Sequence, residues 1–324
     1  MSGRDKPAPG LRRFLFRLAL VLVTLVLALC LGAWILLRQV FCGPSPAARD
    51  LLAASMLERE GLSWIPGLFL DEAQLQALRL SDQSAGTAQT TDPSRITVSP
   101  DPALWASCPE GIRRESIQRD SFAAHLLRIR DPERLFLSHT PGGNSIAAQI
   151  LKENAQAGIY ASAGSSLLVT RGEILCDAPV TGGFAGFNRE NVLILAGGMT
   201  EEEAAALDLR DGCACGMILL SNGQINEGAY NANSGYAPRV CMGQREDGTV
   251  VLLTIDGLTT GSVGGTYRDC IDILFEYGCV NACCLEDVPA AMLLDGTMLH
   301  GESVPRAEIA VLPDFWMVRP GKGE

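Results

Sequence analysis

The hydrophobic and polar positions divide the chain into unlike stretches. Leu18 to Leu37 reads LALVLVTLVLALCLGAWILL, 20 residues without a charge. That is the length that crosses ~30 Å of hydrocarbon at about 1.5 Å per residue. Ala47 to Leu57, after Pro44 and Pro46, has apolar positions compatible with a short amphipathic helix. GLSWIPGLFLDEAQLQALRL follows as an aromatic-aliphatic patch and a second short helix opened by Asp71 and Glu72, acids suited to a first turn. Ser81 to Arg95 is polar without periodicity and reads as a linker. Beyond it, Ile112–Ile117, Ala123–Ile129 and Leu135–His139 read as strands, and Ser145–Ala155 as a helix capped by Asn144 or Ser145. A helix is expected from Thr200 and a strand at Gly216–Leu220, followed by a Ser221-Asn222-Gly223 turn.

The most informative local pattern is a strand–loop–helix–strand unit. Val250–Ile255 is a continuous apolar run, as a strand buried on both faces should be. It ends at Asp256, and the glycine-rich loop 257–265 follows. Thr266 and Asp269 make a capping box for a helix whose apolar face holds Tyr267, Cys270, Ile271 and Leu274. Gly278 supplies a left-handed end. A second apolar strand, Cys279–Leu285, ends at Glu286-Asp287. A right-handed crossover makes the two strands parallel, so that Asp256 and Glu286 or Asp287 share one edge with the glycine loop and a helix N-terminus. Such an edge suits an anion, and two carboxylates there can divide general acid and base work. Ordinary turn acids beside loop-shaping glycines would give the same pattern. A second glycine pair, Gly182 and Gly183 between Thr181 and Phe184, would let backbone approach a ligand, with Phe184 and Phe187 stacking on a sugar or lying in the core.

Fold class and organisation follow. We expect an α+β domain with a mixed sheet over 96–324, preceded by a basic stub (1–17), a transmembrane signal anchor (18–37), a juxtamembrane helical segment (38–80) and a linker (81–95). Charge supports the anchor. Residues 1–40 carry +5 and the remainder −16 of a net −11, which places the N-terminus in the cytoplasm and the main domain outside. A cleaved signal peptide is the competing reading, but its apolar region is normally ~7–15 residues, and Arg38 to Phe41 make a poor cleavage site. The acidic balance argues against nucleic acid as a partner. With only 3 His and no ligand spacing, neither metal nor cofactor is expected. Of 11 Cys, Cys30 lies in the span and Cys42 just beyond it. The other nine form no obvious framework and read as small core residues or as bonded pairs.

Several stretches resemble the phosphodiester glycosidase domain family, from about Gly111 to Met317. SFAAHLLRIRDPERL (121–135) is similar to its opening strand pair, and LDLRDGCACGMILLSNGQ (207–224) to its Arg-Asp, strand and Asn-Gly turn segment. GYAPRVCMGQREDGTVVLLTIDG (235–257) matches at Arg239, Gly243, Gln244 and Asp256, and the match continues through 260–285. The resemblance implies cleavage of a sugar–phosphate diester in surface or exopolysaccharide glycan, outside the cytoplasm of a bacterial cell. Arg239, Asp256 and Glu286 would be catalytic, and Thr181, Gly182, Gly183, Phe184 and Asp287 would bind substrate. Two departures stand out. Thr181 and Ala185 replace the family's Asn and second Phe, and Glu286-Asp287-Val288-Pro289 replaces its Asp-Gly-Gly and hydroxyls. Such a loop also fits a non-catalytic glycan- or phosphate-binding descendant, and 47–80 would serve an envelope assembly scaffold.

Overall fold

A computed structural model describes residues 9–43, 46–57, 61–83, 90–162, 166–232, 234–285, 290–300 and 310–321. Its helices are α1 (Pro9–Phe41), α2 (Pro46–Leu57), α3 (Glu72–Gln83), α4 (Pro102–Trp105), α5 (Ile146–Glu153), α6 (Glu201–Ala206), α7 (Glu227–Asn231) and α8 (Tyr267–Glu276). The strands are β1 (Ile112–Gln118), β2 (Ala123–Ile129), β3 (Leu135–Asn144), β4 (Ala157–Tyr160), β5 (Leu168–Thr170), β6 (Glu173–Cys176), β7 (Gly183–Asn188), β8 (Leu193–Ala196), β9 (Leu209–Cys215), β10 (Ile218–Ser221), β11 (Gln224–Ile225), β12 (Arg239–Arg245), β13 (Val250–Ile255), β14 (Leu258–Thr259), β15 (Ser262–Val263), β16 (Cys279–Cys284), β17 (Met292–Leu294), β18 (Thr297–His300) and β19 (Leu312–Val318).

Beside the β14-β15 hairpin, the strands form three larger sheets: a seven-stranded one, β1-β2-β13-β12-β16-β10-β11, and two five-stranded ones, β18-β17-β4-β19-β3 and β6-β5-β9-β7-β8. One apolar core draws on all three, from Leu127, Leu252 and Cys283 through Trp316 and Ile159 to Phe187 and Leu195. A second core lies on the other face of the large sheet, where α8 packs through Tyr267, Cys270, Ile271 and Leu274. β13 runs between the two: Val250 and Leu252 enter the first core, and Val251, Leu253 and Ile255 the second. Burial on both faces is why its sequence does not alternate.

The strand–loop–helix–strand unit forms with one difference in topology. β13 and β16 point the same way but are not neighbours, because β12 pairs antiparallel with both. The capping box at Thr266 and Asp269 is present, and Gly278 has φ +77°. Thr200 caps α6 with a second capping box, and Asn222 and Gly223 both take positive φ in the turn after β10. Element ends shift: β3 continues past His139 to Asn144, and β10 begins at Ile218 rather than Gly216.

The segment read as a linker is partly fixed. Ser81 to Gln83 end α3. Asp92 N donates to Asn222 Oδ1 at 2.8 Å, and Arg95 Nη1 donates to the Asn222 carbonyl at 2.7 Å, so 92–95 lie against the β10–β11 turn.

Phe16–Phe41 is long and apolar enough to cross a membrane. The C-terminal end of α1 meets a small core of its own, in which Phe41, Ala53, Leu70 and Leu75 are buried. No two cysteines are joined in a disulfide; eight of them, Cys108, Cys213, Cys215, Cys241, Cys270, Cys279, Cys283 and Cys284, are buried.

Candidate functional site

The hydrogen-bond ladder places Arg239, Asp256 and Gly183 along one edge. Arg239, the first residue of β12, pairs with Ile255, and Asp256 follows directly. Asp256 N donates to the Ala123 carbonyl at 2.9 Å. On the other side of β12, Leu285 N donates to the Val240 carbonyl at 2.8 Å. Thus Asp256 and the chain entering Glu286 flank Arg239, each about one strand spacing of 4.8 Å away. The row continues: Gly216 N donates to the Cys284 carbonyl at 3.0 Å, and Cys215 pairs with Gly183 of β7. Gly182-Gly183 therefore stands roughly 10 Å beyond Leu285. Glu286 and Asp287 lie outside the described residues.

The two glycines of the 181–183 turn differ. A Cβ on Gly183 would sit 2.2 Å from the Gly216 carbonyl oxygen and 2.9 Å from Cys215 Sγ, whereas one on Gly182 meets nothing within 4 Å. Gly183 is a packing requirement, and Gly182, like Thr181, is exposed. Phe184 and Phe187 are fully buried. Each turns into a core and offers no ring for stacking on a sugar, which settles the alternative the sequence left open.

Arg239 is 3% exposed. Its Nε donates to the Gly265 carbonyl at 3.1 Å, and Nη2 donates to the carbonyls of Ser234 and Gly235 at 2.7 and 3.3 Å. The guanidinium lies 4.4 Å from the Tyr267 ring centroid. It clamps the 234–235 and 264–265 segments together beneath the edge, a task suited to a planar five-donor fork. The glycine loop leans on the same place. Gly264 has φ +103°, and a Cβ there would lie 2.7 Å from Ala237 N. The Ser262 hydroxyl donates to the Asp256 carbonyl at 2.8 Å, fixing the turn in which half-buried Asp256 sits.

The α8 N-terminus is largely occupied by the protein itself. Tyr267 N donates to Ser234 Oγ at 2.9 Å, Asp269 N to Thr266 Oγ1 at 3.3 Å, and Thr266 N to Asp269 Oδ2 at 2.7 Å. The expected anion cradle is thus filled by side chains, because a capping box uses the donors an anion would need. Among the described residues, no group of three or more His, Cys, Asp or Glu could hold a metal ion.

Other matching positions serve the scaffold. Gln244, at the opposite end of β12, is fully buried; it accepts from Leu193 N at 2.6 Å and donates to the Asn191 and Gly248 carbonyls at 2.8 and 3.0 Å. Asp211 accepts from Arg210 Nε at 2.8 Å and from Arg171 N at 3.0 Å. One pair had no sequence signal. His139 Nδ1 lies 2.7 Å from Oδ1 of the buried Asp314. The partners are 175 positions apart, and only the pairing of β3 with β19 joins them.

Residues 143–298 match the phosphodiester glycosidase family. The fold is similar to the catalytic domain of zebrafish N-acetylglucosamine-1-phosphodiester alpha-N-acetylglucosaminidase, solved in a form auto-inhibited by its pro-peptide. That match has a TM-score of 0.56 at 14% identity and covers 72% of this chain and 88% of that one. A hypothetical protein from Synechocystis matches at a TM-score of 0.50 and 12% identity, over 64% of this chain and 62% of the other. An uncharacterised prophage-derived protein of Bacillus subtilis, YomE, is 43% identical over 99 residues, 26% of this chain and 15% of its own length. This chain thus spans a small part of that relative. Residues 143–298 thus match the phosphodiester glycosidase family, and the fold is similar to that of the zebrafish catalytic domain.

Proposed function

We propose that the chain is a membrane-anchored, extracytoplasmic hydrolase of a sugar–phosphate diester. The observation that carries this reading is the placement of Arg239 between Asp256 and the strand end that runs into Glu286, within a domain that matches the phosphodiester glycosidase family. Asp256 and Glu286 serve as the acid and base pair. One carboxylate takes a proton from water, whose oxygen bonds to the anomeric carbon. The other gives a proton to the phosphate oxygen as the carbon–oxygen bond breaks. Arg239 supplies positive charge beneath the edge and holds the two loops that frame it. Gly182 and Thr181 offer exposed backbone to the sugar, and Asp287 is assigned to the same substrate by the resemblance to the family. Phe184 contributes only packing. The anchor is α1, read with the N-terminus inside on the charge asymmetry, and the setting is a bacterial surface or its exopolysaccharide.

The test is turnover of a sugar-phosphodiester by the full chain and by Asp256→Asn. The expected result is a loss of ~10²–10⁴-fold in kcat with the substitution, the usual worth of a general acid or base. No turnover, or turnover indifferent to Asp256, would sink the reading.

A second reading has its own support. The hydrogen bonds of Arg239 to three carbonyls and the altered 286–289 sequence fit a module that binds a phosphorylated glycan without cleaving it. Binding without product over long incubation distinguishes it.

A further inference from the structure

The site edge is not held away from the apolar helix on a tether; it is packed to it. At the C-terminal end of α1, the Phe41 ring stacks on Phe69 at 4.8 Å and an interplanar angle of 8°, and Trp34 lies 5.0 Å from the same ring. Phe41, Ala53, Leu70 and Leu75 close a small core around that contact. So α2 and the 65–75 segment grip the last turns of α1.

α2 then touches the loop that Arg239 clamps. Tyr236 N donates to Ser55 Oγ at 3.0 Å. A Cβ on Gly235 would lie 2.7 Å from Ser55 N, so the two backbones are in van der Waals contact, and Gly235 takes φ +70°. Ala54 and Ser55 are buried at 7% and 8% exposure. The next link is the Gly235 carbonyl, which accepts from Arg239.

This path is one helix thick. Packed helices lie about 8–10 Å apart, which puts Arg239 on the order of 20 Å from the end of α1. A 15-residue flexible tether would instead allow up to ~50 Å of reach. A short, packed mount suits a substrate at the bilayer surface and serves no purpose for a distant wall polymer. The segment after α2 agrees: Trp64 is 63% and Leu68 52% exposed, and aromatic and aliphatic side chains of this kind settle at membrane interfaces.

We propose that the diester cleaved at this edge is lipid-linked: a sugar joined through its anomeric carbon to the phosphate of a membrane lipid, in the bilayer that holds α1. The inference rests on the hydrolase reading above. Water oxygen bonds to the anomeric carbon, the bond from that carbon to the phosphate oxygen breaks with its electrons staying on the oxygen, and a proton joins that oxygen. The products are the free sugar and the lipid monophosphate, with no change of oxidation state.

The experiment uses the full chain in proteoliposomes and three probes. These are N-acetylglucosamine 1-phosphate esterified to a polyprenol in the same vesicles, the same lipid in protein-free vesicles, and the methyl diester in solution. The expected result is cleavage of the same-vesicle lipid at least 10-fold faster than either other probe at equal total concentration. A flexible 40-residue Gly-Ser insertion after Gly43 should remove that advantage while the methyl diester rate holds within twofold. Cleavage of the methyl diester without the lipid diester overturns the lipid inference and leaves the hydrolase reading intact, as does an advantage unchanged by the insertion, which overturns the positional argument. Cleavage of none of the three removes the hydrolase reading itself.

Discussion

Gly182 and Gly183 are adjacent and chemically identical, so their alanine variants isolate packing from ligand approach. Neither has positive φ. At Gly183 the new methyl would be 2.2 Å from the Gly216 carbonyl oxygen and 2.9 Å from both the Cys215 carbonyl oxygen and Cys215 Sγ. Ordinary contact needs about 3.4 Å or more between such atoms, so β7 and the 215–216 turn must part by roughly 1 Å. Overpacking of that kind costs ~1–3 kcal/mol. The loss of backbone freedom in the unfolded chain returns at most ~1 kcal/mol. Gly183→Ala should therefore lose about 1–2 kcal/mol net, which for a domain of this size lowers Tm by roughly 2–8 °C. At Gly182 nothing lies within 4 Å, so alanine keeps only the entropic gain and Tm should hold or rise by a degree or two. The functional consequence runs the other way. Gly182→Ala should weaken kcat/KM for the diester, because its exposed backbone is where substrate would approach, while Gly183→Ala should act through stability alone. Thermal melts of the detergent-solubilised full chain, with kcat/KM per folded molecule, measure both. Equal Tm values for the two variants would refute the packing argument, and full activity in Gly182→Ala would refute the assignment of that turn to substrate.

Three further outcomes follow from the same structure. Arg239→Lys replaces a three-carbonyl fork with a point charge and leaves buried carbonyls unpaired, so chemical denaturation should show a loss of about 2–3 kcal/mol; a shift below half that would undo the clamp. Gln244→Leu should cost a similar amount, since it orphans Leu193 N and the Asn191 and Gly248 carbonyls, yet activity per folded molecule should be unchanged because Gln244 is at the far end of β12. Alkylation of the native chain at pH 8 should modify Cys42 and Cys176 and reach the eight buried thiols only on unfolding. Burial pushes the Cys279 thiol up to about 12, and burial with the Glu115 hydrogen bond does the same for Tyr277. Both groups stay neutral when folded, so the stability they contribute is complete below pH 9 for Cys279 and below pH 10 for Tyr277, and is lost as pH rises toward 12. A pH-independent melt from 8 to 11.5 would contradict this.

What the sequence disclosed depended on the range of the interaction. β13, the glycine loop, the Thr266–Asp269 capping box and α8 are local, and their residues announce them within about 30 positions. The interposition of β12 between β13 and β16 is not local, since an apolar run does not encode its partner. The same limit hid His139–Asp314. Candidate residues were identifiable as types but not by exposure. Phe184 and Gly183 look like ligand groups beside Gly182, and only the packing of β7 against β9 turns one into the core and uses the other for close approach. Arg239 was visible as a phosphate-type residue; that its donors go to Ser234, Gly235 and Gly265 depends on two loops folding back from opposite sides.

Residues 41–324 carry a net charge of −16, an unpromising field for the proposed phosphodiester chemistry until the charges of reactant and product are compared. A diester carries a single negative charge, whereas the monoester product, with a second pKa near 6, carries nearly two at pH 7. Arg239 is buried beneath the edge, and Asp256 adjoins its strand partner Ile255. Such an arrangement tolerates one negative charge and repels two, and at a Debye length of ~8 Å the difference is felt only near the site. On the proposed reaction, the acidic surface therefore favours product departure. The expected observation is weak competitive inhibition by the sugar-free monoester, weaker at 20 mM salt than at 300 mM, because screening shields the repulsion. Tight product inhibition that strengthens as salt is removed would show instead that the edge attracts dianions.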